Sequence, residues 1–481
     1  AGIVRAPCQS ACPANVDIPG FVSLVGEKRY AEALQLHRNR NPFAAVCARV
    51  CFHTCEIKCR RSTLDAPVSI RGVKRYMVDQ EITVQLPEMR ENVENAKRKI
   101  AIIGAGPAGL SCAYFLARMG YRPNVFEAEH RPGGMLVQTI PSYRLPREIL
   151  AREIRMIENM GVDIFTNRKL GRDFTLQSLR EEGYEAVFIG VGAPVGVKPD
   201  IPGIDSENVV DALKFLQTYN LRGAVKVGKK VIVIGGGNAA IDAARTAIRL
   251  DAEEVDIVYR RTREEMPAWA EEIDAALEES ISLYTLTNPK EFIVENGKVT
   301  GVRCAKMKLG TFDFSGRRRP EESKEQIILE ADQVIIATGQ TLDCEAITGD
   351  YKLTGKKSSQ IVADKQTGQT AVEWVFAGGD AATGPSSVIE AVAGGERAAV
   401  GINRYLTGEE QEIFWRKEKK VDTFFDPEAD PAPFPRVPQR MLEAERRMHN
   451  FAEVELVWPE GEAIRQAKRC LRCDYGKSTV E

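Results

Sequence analysis

Residues 99–120 read KIAIIGAGPAGLSCAYFLARMG. A short apolar run, a glycine turn and a longer apolar-striped stretch follow one another without a break, the order expected of a buried strand, a tight turn and a helix. Gly104, Gly106 and Gly109 stand as G-x-G-x-x-G. In such a turn the first glycine permits the bend, the second lets the backbone approach a pyrophosphate, and the third lets helix and strand pack closely. The helix N-terminus, entered through Pro107 and Ala108, attracts phosphate charge. The triplet alone is a weak signal, and a glycine turn without a ligand is the alternative. Glu127, at the end of the next strand-like run RPNVFEAE (122–129), strengthens it, because a carboxylate about 20 residues on is placed to accept ribose hydroxyls.

The pattern recurs once, at KKVIVIGGGNAAIDAARTAIRL (229–250) followed by EVDIVYRR (254–261). Gly235, Gly237 and Ala240 repeat the fingerprint as G-x-G-x-x-A, with Asn238 and Ala239 opening the helix. The strand after this turn ends in Tyr259, Arg260 and Arg261, with Arg263 close by, where an NAD-preferring site would carry an acid. Guanidinium groups suit the 2′-phosphate of NADPH and an acid would repel it. NADP(H) is therefore expected here, with NAD(H) as the alternative and with some of these arginines forming only surface ion pairs. Two turns of this kind predict an α/β protein with two dinucleotide-binding folds.

The 481-residue chain is too long for one simple core. A formal charge of −2 offers no electrostatic reason to expect nucleic acid or an acidic membrane surface. No apolar run approaches the roughly 18 residues of a membrane span. The opening AGIVRAPCQSACP lacks the apolar core of a secretory signal, so a cytoplasmic protein is expected. Eleven cysteines in a reducing compartment point to metal ligands or catalytic thiols rather than disulfides. Their placement agrees: Cys8, Cys12, Cys47, Cys51, Cys55 and Cys59 crowd the first sixty residues, and Cys470 and Cys473 stand near the end. Cys112, Cys304 and Cys344 lie scattered between and read as ordinary core or surface residues.

Residues 1–97 read as a helical, cysteine-rich domain, with helical periodicity in DIPGFVSLVGEKRYAEALQLHRNR (17–40) and VSIRGVKRYMVDQEI (68–82). Thiols three residues apart suit cubane iron–sulfur clusters. Zinc is the runner-up, but only one C-x2-C knuckle is present, Cys470 and Cys473. A catalytic disulfide is disfavoured, because no cysteine pair lies inside the dinucleotide folds. After Gly408 the chain turns charged and then proline-rich at DPEADPAPFPRVP (426–438), an extended tail, before the short helical stretch GEAIRQAKRC (461–470).

VFAGGDAATGPSSVIEAVAGGERAA (375–399) resembles the second FAD signature of the two-dinucleotide-binding flavoproteins. The resemblance implies that Asp380, after Gly379, holds the ribitol chain of FAD. It also implies that the helix beginning near Ser387 and Val388 points at the pyrimidine end of the flavin, and that GGMLVQTIPSYRLP (133–146), with Gly134, Met135 and Arg144, lines the other side. The FAD domain is then split, with the second fold inserted. The expected division is 1–97 for clusters, 98–205 and 331–410 for FAD, 206–330 for NAD(P)H, and 411–481 as the tail.

The stretches CQSACPANVDIP, ARVCFHTCEIKC, GAGPAGL, GGGNAAIDAARTA, YRRTREEMPA and AGGDAATGPSSVIEAV, in this order over most of the chain, resemble the small (beta) subunit of glutamate synthase and its relatives. These relatives include the large subunit of NADH-dependent ferredoxin:NADP oxidoreductase and the N-terminal half of dihydropyrimidine dehydrogenase. The family carries a C-x2-C shortly before its C-x3-C-P. Here that half is absent, and PRVPQRMLEAERRMHNFAEVELVWPEGEAIRQAKRCLRCD, at the C-terminal end, is similar to the stretch that precedes the cysteines in relatives. The resemblance implies that the tail folds back and that two [4Fe-4S] clusters form. One would use Cys8, Cys59, Cys470 and Cys473; the other Cys12, Cys51 and Cys55, with Cys47 as candidate fourth ligand. Relatives supply that ligand as Gln or Glu on the following helix, where this chain has Lys74, which cannot ligate while protonated. A tail pair that is unbound, or that holds a cluster shared with another subunit, is the competing reading.

The function implied is an electron-transfer oxidoreductase passing electrons between NAD(P)H and a partner through FAD and the clusters. No catalytic side chain is expected, since the cofactors are the agents. His53 is expected to tune or shield a cluster and His130 to be structural. The chain has no room for a glutamine amidotransferase or an FMN-binding barrel, so a redox partner is expected. Candidates are a large glutamate-synthase-like subunit, a ferredoxin-linked or bifurcating flavoprotein, a ferredoxin-type carrier, or a molybdenum- or tungsten-type oxidoreductase. A stand-alone NADPH oxidoreductase acting on ferredoxin or sulfur is the alternative, and a degenerate scaffold flavoprotein is a third reading.

Overall fold

The computed structural model describes residues 5–474, except 82, 84, 314–315, 343–346, 348–350, 356–358, 409–412, 417–420, 427 and 429–433. Cys344 and part of the proline-rich stretch lie outside the described residues.

The two glycine-turn segments seed two separate parallel sheets. The first runs, in spatial order, Val375–Ala377, Ala186–Ile189, Ile100–Ile103, Asn124–Phe126 and Asp163–Phe165. Its central strand pairs Ile100 with Ala186 and Ile103 with Ile189 on one side, and Ala101 with Asn124 on the other. The second runs Val209–Asp211, Gln333–Ile336, Lys230–Ile234, Glu254–Val258 and Ser282–Tyr284. Central strands of both sheets are buried on both faces, as apolar runs flanked by helices require. The strand Val375–Ala377, far along the chain, joins the first sheet, so the second fold is inserted into the first. The chain leaves through Val195–Gly196 and returns through Gln340–Thr341, and these two crossings pair antiparallel. A strand beginning at 333 therefore belongs to the second sheet, not to the flavin fold in which a division at 330 would place it. Behind the second sheet stands a three-stranded antiparallel sheet, Thr287–Glu295, Lys298–Phe312 and Arg318–Glu330.

Seven helices precede the first sheet among the described residues. The periodic stretch 17–40 forms two, Ile18–Gly26 and Tyr30–Arg38, because Lys28 takes a left-handed conformation (φ 63°) between them. Asp17 caps the first by accepting the Gly20 amide at 3.0 Å. The helix Ala44–Val50, which carries Cys47, is capped from outside the segment. Glu153, fully buried on a helix of the first fold, accepts the amides of Ala45 and Val46 at 2.7 and 3.0 Å. This satisfies donors that a helix N-terminus leaves open.

The described part of the tail from 434 to 474 forms local structure rather than running extended. Arg440–Met441 and Glu455–Leu456 pair as a small ribbon, and the helix Glu460–Ala467 packs on Ile18–Gly26 and Ile70–Asp79. Trp458 lies over Gly72, where a Cβ would stand 2.2 Å from the indole, so only glycine admits it. Trp458, Ala463 and Ala467 share one apolar core with the N-terminal helices and the first fold. Among the described residues no helix is long and apolar enough to cross a membrane.

Ionic contacts lock the second fold in place. Arg245 and Arg249, both on the helix Asn238–Arg249, share the carboxylate of Glu279 at 2.6–3.0 Å with side chains at most 1% exposed. Burial alone would raise the Glu279 pKa, yet the hydrogen bonds from Arg249 and Arg245 hold it below its ordinary value. Its contribution is thus intact at neutral pH and lost only as pH falls through that depressed pKa. Glu279→Ala leaves the buried Arg249 without a carboxylate, while Arg245 keeps Glu272, and is expected to cost about 3 kcal/mol, read as a lower urea midpoint at pH 7.

Candidate cofactor sites

The first glycine turn is built by close approach. Gly104 has φ 98°, and a Cβ on it would stand 2.6 Å from the Gly190 carbonyl; one on Gly109 would meet the Gly104 carbonyl at 1.9 Å. Gly106 caps the helix Pro107–Arg118. The loop from 133 lies directly against this turn: the Gly133 amide donates to Ala105 at 2.8 Å, and a Cβ on Gly134 (φ 54°) would lie 2.8 Å from the Gly106 Cα. Glu127 is 5% exposed and accepts the amides of Ala105 and Glu129 at 2.8 and 2.9 Å. Burial pushes its carboxyl pKa up, against those hydrogen bonds. From the last strand, Gly379 turns with φ 62° and Asp380 accepts the amide and hydroxyl of Ser386 at 3.1 and 2.9 Å. Burial likewise raises the Asp380 pKa. Ser387 and Glu390 form a capping box on the helix Val388–Thr407.

Gly104, Gly106, Glu127, Gly134, Asp380, Ser387 and Glu390 line one cavity of about 1400 Å³ that also receives the second turn, whereas Gly109 and Gly379 lie outside its lining. Gly235 there would place a Cβ 2.3 Å from the Ala337 carbonyl, and Gly236 is covered by the Tyr259 ring. Gly237, Asn238 and Ala239 line the cavity, while Ala240 is buried beneath the turn. Met135 lines it as well, and so does Arg144, but the Arg144 guanidinium is engaged by Asp242 at 2.8 Å and Glu272 at 3.2 Å across the gap between the folds. Arg260 and Arg261 both line the cavity, Arg260 from an exposed position and Arg261 from a buried one, where it is bonded to Asp313 and the Arg318 carbonyl; Arg263 pairs with Asp274. Two turns built by close backbone approach, the first with the buried acid Glu127 at the ribose position and the second with Arg260 beyond its strand, fit a dinucleotide in each fold.

Cys8, Cys59, Cys470 and Cys473, separated by more than 400 residues of chain, line a second cavity of about 20 Å³ among apolar side chains. Burial and the neighbouring thiols push the Cys8 pKa up, and burial takes Cys470 to about 12. Cys12, Cys47, Cys51 and Cys55 gather round the buried Lys74. The Cys47–Cys51 hydrogen bond pulls the Cys51 thiol down to about 5, and Lys74 adds to this. Burial would lower the Lys74 pKa, but these cysteines hold it above its ordinary value. Among the described residues no three His, Cys, Asp or Glu side chains are arranged to hold a single metal ion. Thiolates round a cubane stand on separate irons, and two sets of four buried or half-buried thiols suit that donor pattern. Cys51 also lines the large cavity, so the second set adjoins the dinucleotide sites. Cys112 and Cys304 are buried core residues.

Two features had no mark in the sequence. Trp269, from the second fold, packs on His53 and Phe52 with ring centres 4.9 and 5.5 Å apart, covering the flank of Cys51; His53 also places Nδ1 3.1 Å from the Cys51 carbonyl. His130 is exposed. Arg317, at the end of the long hairpin, lines the large cavity. Only the excess of arginine in SGRRRP hinted at it.

The profile of the pyridine nucleotide-disulphide oxidoreductases matches residues 98–395, and that of dihydropyrimidine dehydrogenase domain II, 4Fe-4S cluster, matches residues 3–86. The NADP(+)-dependent formate dehydrogenase subunit beta of Moorella thermoacetica is 40% identical over 98% of this chain and 71% of its own length. The NADPH-Fe(3+) oxidoreductase subunit beta of Geobacter sulfurreducens is 37% identical over 97% of this chain and 75% of its own. The glutamate synthase [NADPH] small chain of Escherichia coli is 34% identical over 83% of this chain and 88% of its own. In fold, the dinucleotide region is similar to Mycobacterium tuberculosis FprA in complex with NADPH. That match has a TM-score of 0.56 at 19% identity and covers 65% of this chain and 85% of FprA. The paired glycine turns, the thiol-rich helical segment and these relatives agree: the chain belongs to the glutamate synthase small subunit-like family of FAD- and iron–sulfur-containing NAD(P)H oxidoreductases, within the pyridine nucleotide-disulphide oxidoreductases.

Proposed function

We propose that this chain is the nucleotide-facing subunit of a larger oxidoreductase, passing electrons between NADPH and a partner subunit through FAD and two [4Fe-4S] clusters. Bound flavin supplies the exchange between hydride and single electrons that such a task requires. The observation that carries the reading is the joint placement of the two thiol sets. Cys51 opens onto the dinucleotide cavity, and the short helix Pro7–Ala11 with Cys12 links that set to Cys8, Cys59 and the tail pair.

The protein's own residues bind, orient and shield. In this reading Gly104, Gly106 and Gly134 admit the FAD pyrophosphate, Glu127 holds the FAD ribose and Asp380 its ribitol, while Gly109 lets helix and strand pack closely. Gly379, Ser387 and Val388 shape the flavin end. Gly235, Gly237 and Asn238 admit the NADP(H) pyrophosphate. Arg144, paired with Asp242 and Glu272, sets the spacing of the two sites rather than contacting a cofactor by charge. Trp269 and His53 keep water from the Cys51 side. Domain limits follow as 1–97, 98–205, 206–336, 337–410 and 411–481, with the third limit moved to include the strand Gln333–Ile336. The named relatives, two beta subunits and a small chain, support a partner.

Anaerobically purified protein is expected to hold about eight irons and one FAD per chain. Cys470→Ser with Cys473→Ser is expected to halve the iron and abolish one of two cluster signals by electron paramagnetic resonance, with FAD retained. Full iron in that variant would sink the tail-to-N-terminus cluster. Cys47→Ser is expected to remove about four irons and spare the signal of the Cys8 set; an unchanged count would exclude Cys47 as a ligand.

Native anaerobic purification is expected to bring down a stoichiometric second polypeptide carrying its own redox centre. A lone chain that turns over NADPH with ferredoxin or sulfur would replace the subunit reading by the stand-alone one.

A further inference from the structure

The two arginines that end the strand Glu254–Val258 do different things. Arg261 is 5% exposed, and its guanidinium is spent on the hairpin: Nε donates to the Arg318 carbonyl at 2.8 Å and a terminal nitrogen to Asp313 Oδ2 at 3.1 Å. Arg260 is exposed, and both arginines line the large cavity. Asp313 holds the hairpin turn as well. Its Oδ1 accepts the Arg317 amide at 3.1 Å, its amide donates to the Arg317 carbonyl at 2.6 Å, and its carbonyl accepts the Gly316 amide at 3.0 Å. One carboxylate therefore fixes both the Arg261 guanidinium and the main chain of Arg317. Arg317 lines the same cavity as Arg260. The next arginine, Arg318, is turned to its own hairpin, donating to the Leu309 and Gly310 carbonyls at 2.8 and 3.1 Å. Lys290 also reaches the cavity wall but is paired with Glu322 at 2.9 Å.

We propose that Arg317 is a specificity-determining residue that binds the 2′-phosphate of NADP(H) together with Arg260, and that Arg261 is a positioning residue that pins the hairpin turn delivering Arg317. The inference rests on the reading of the second fold as the NADP(H) site. Two guanidiniums from separate elements can grip one phosphate from two directions, each by charge-assisted hydrogen bonds. NADH has no group at that place, so the arrangement discriminates by a contact present in one nucleotide and missing from the other.

The test is steady-state kinetics of the cofactor-loaded protein with NADPH and with NADH, using ferricyanide as acceptor. The wild type is expected to prefer NADPH. Arg317→Gln is expected to raise the KM for NADPH about tenfold, the loss of one charged phosphate contact. The KM for NADH and both kcat values stay within about twofold. Inhibition by 2′,5′-ADP weakens in parallel and inhibition by 5′-AMP does not, and Arg317→Lys recovers part of the loss. A wild type without preference for NADPH removes the nucleotide reading, and the proposal with it, before any variant is made. A wild type that prefers NADPH, with Arg317→Gln unchanged toward NADPH and 2′,5′-ADP, overturns the role of Arg317 alone. An equal rise in KM for both nucleotides also overturns it, because it marks a loosened hairpin rather than a lost phosphate contact.

Discussion

A guanidinium taken wholly out of water must find an acceptor for nearly every donor it carries, and Arg469 meets that demand only if the two ends of the chain come together. It is fully buried. Its Nε donates to the Phe434 carbonyl, one terminal nitrogen to Pro67, and the other to both oxygens of Asp65 and to the Ala66 carbonyl, at 2.7 to 3.0 Å. Arg61, equally buried, donates to Asp65 and to the Arg469 carbonyl. This knot seats Cys470 and Cys473 beside Cys8 and Cys59. Holding thiols from both ends of a long chain together carries a loop-closure cost, and the contact of the buried Arg469 guanidinium with the exposed Asp65 carboxylate, with the apolar packing of Trp458 over Gly72, works against it.

The same logic joins the helical segment to the dinucleotide folds. Glu153, from the first fold, caps the helix of Cys47, so the second thiol set is held at a fixed place against the flavin-binding sheet. Arg144 to Asp242 and Glu272, Arg71 to Glu455 and Glu271, and Arg447 to Glu278 tie the second fold to the loop at 133–146, to the N-terminal helices and to the tail. Phe451 stacks on Tyr219 at 4.6 Å in the same region. The Arg144–Asp242 pair, with side chains 9% and 6% exposed, is largely out of solvent, where such a pair specifies geometry more than it adds net stability. Electron exchange between bound groups depends on fixed spacing, and fixed spacing is what such a network supplies.

What could be read beforehand was local. Both glycine turns, the acid at Glu127, the basic strand end at 259–261 and the helical periods at 17–40 and 68–82 are set by steric and periodic rules acting over a few residues. The break at Lys28 and the order of the tail were not legible. Nor was the membership of Gln333–Ile336 in the second sheet, since an apolar run of four says that it is a buried strand but not which sheet buries it. Arg260 and Arg261 are adjacent, chemically identical and both border the large cavity, yet one is exposed while the other is buried and engaged by Asp313, 52 residues away. No pattern within the strand distinguishes them.

The sequence by itself determined the composition of each site: two dinucleotide turns, eight thiols outside them, and the family to which that combination belongs. These follow from backbone sterics and donor chemistry, which residue type and short spacing express directly. Only the tertiary structure decided which thiols share a cavity, that Cys51 and Arg317 line the large cavity, and that Arg144 joins two folds. Each of those depends on a buried charge or an aromatic ring finding its partner across tens to hundreds of residues, a choice made by the packing of the whole chain.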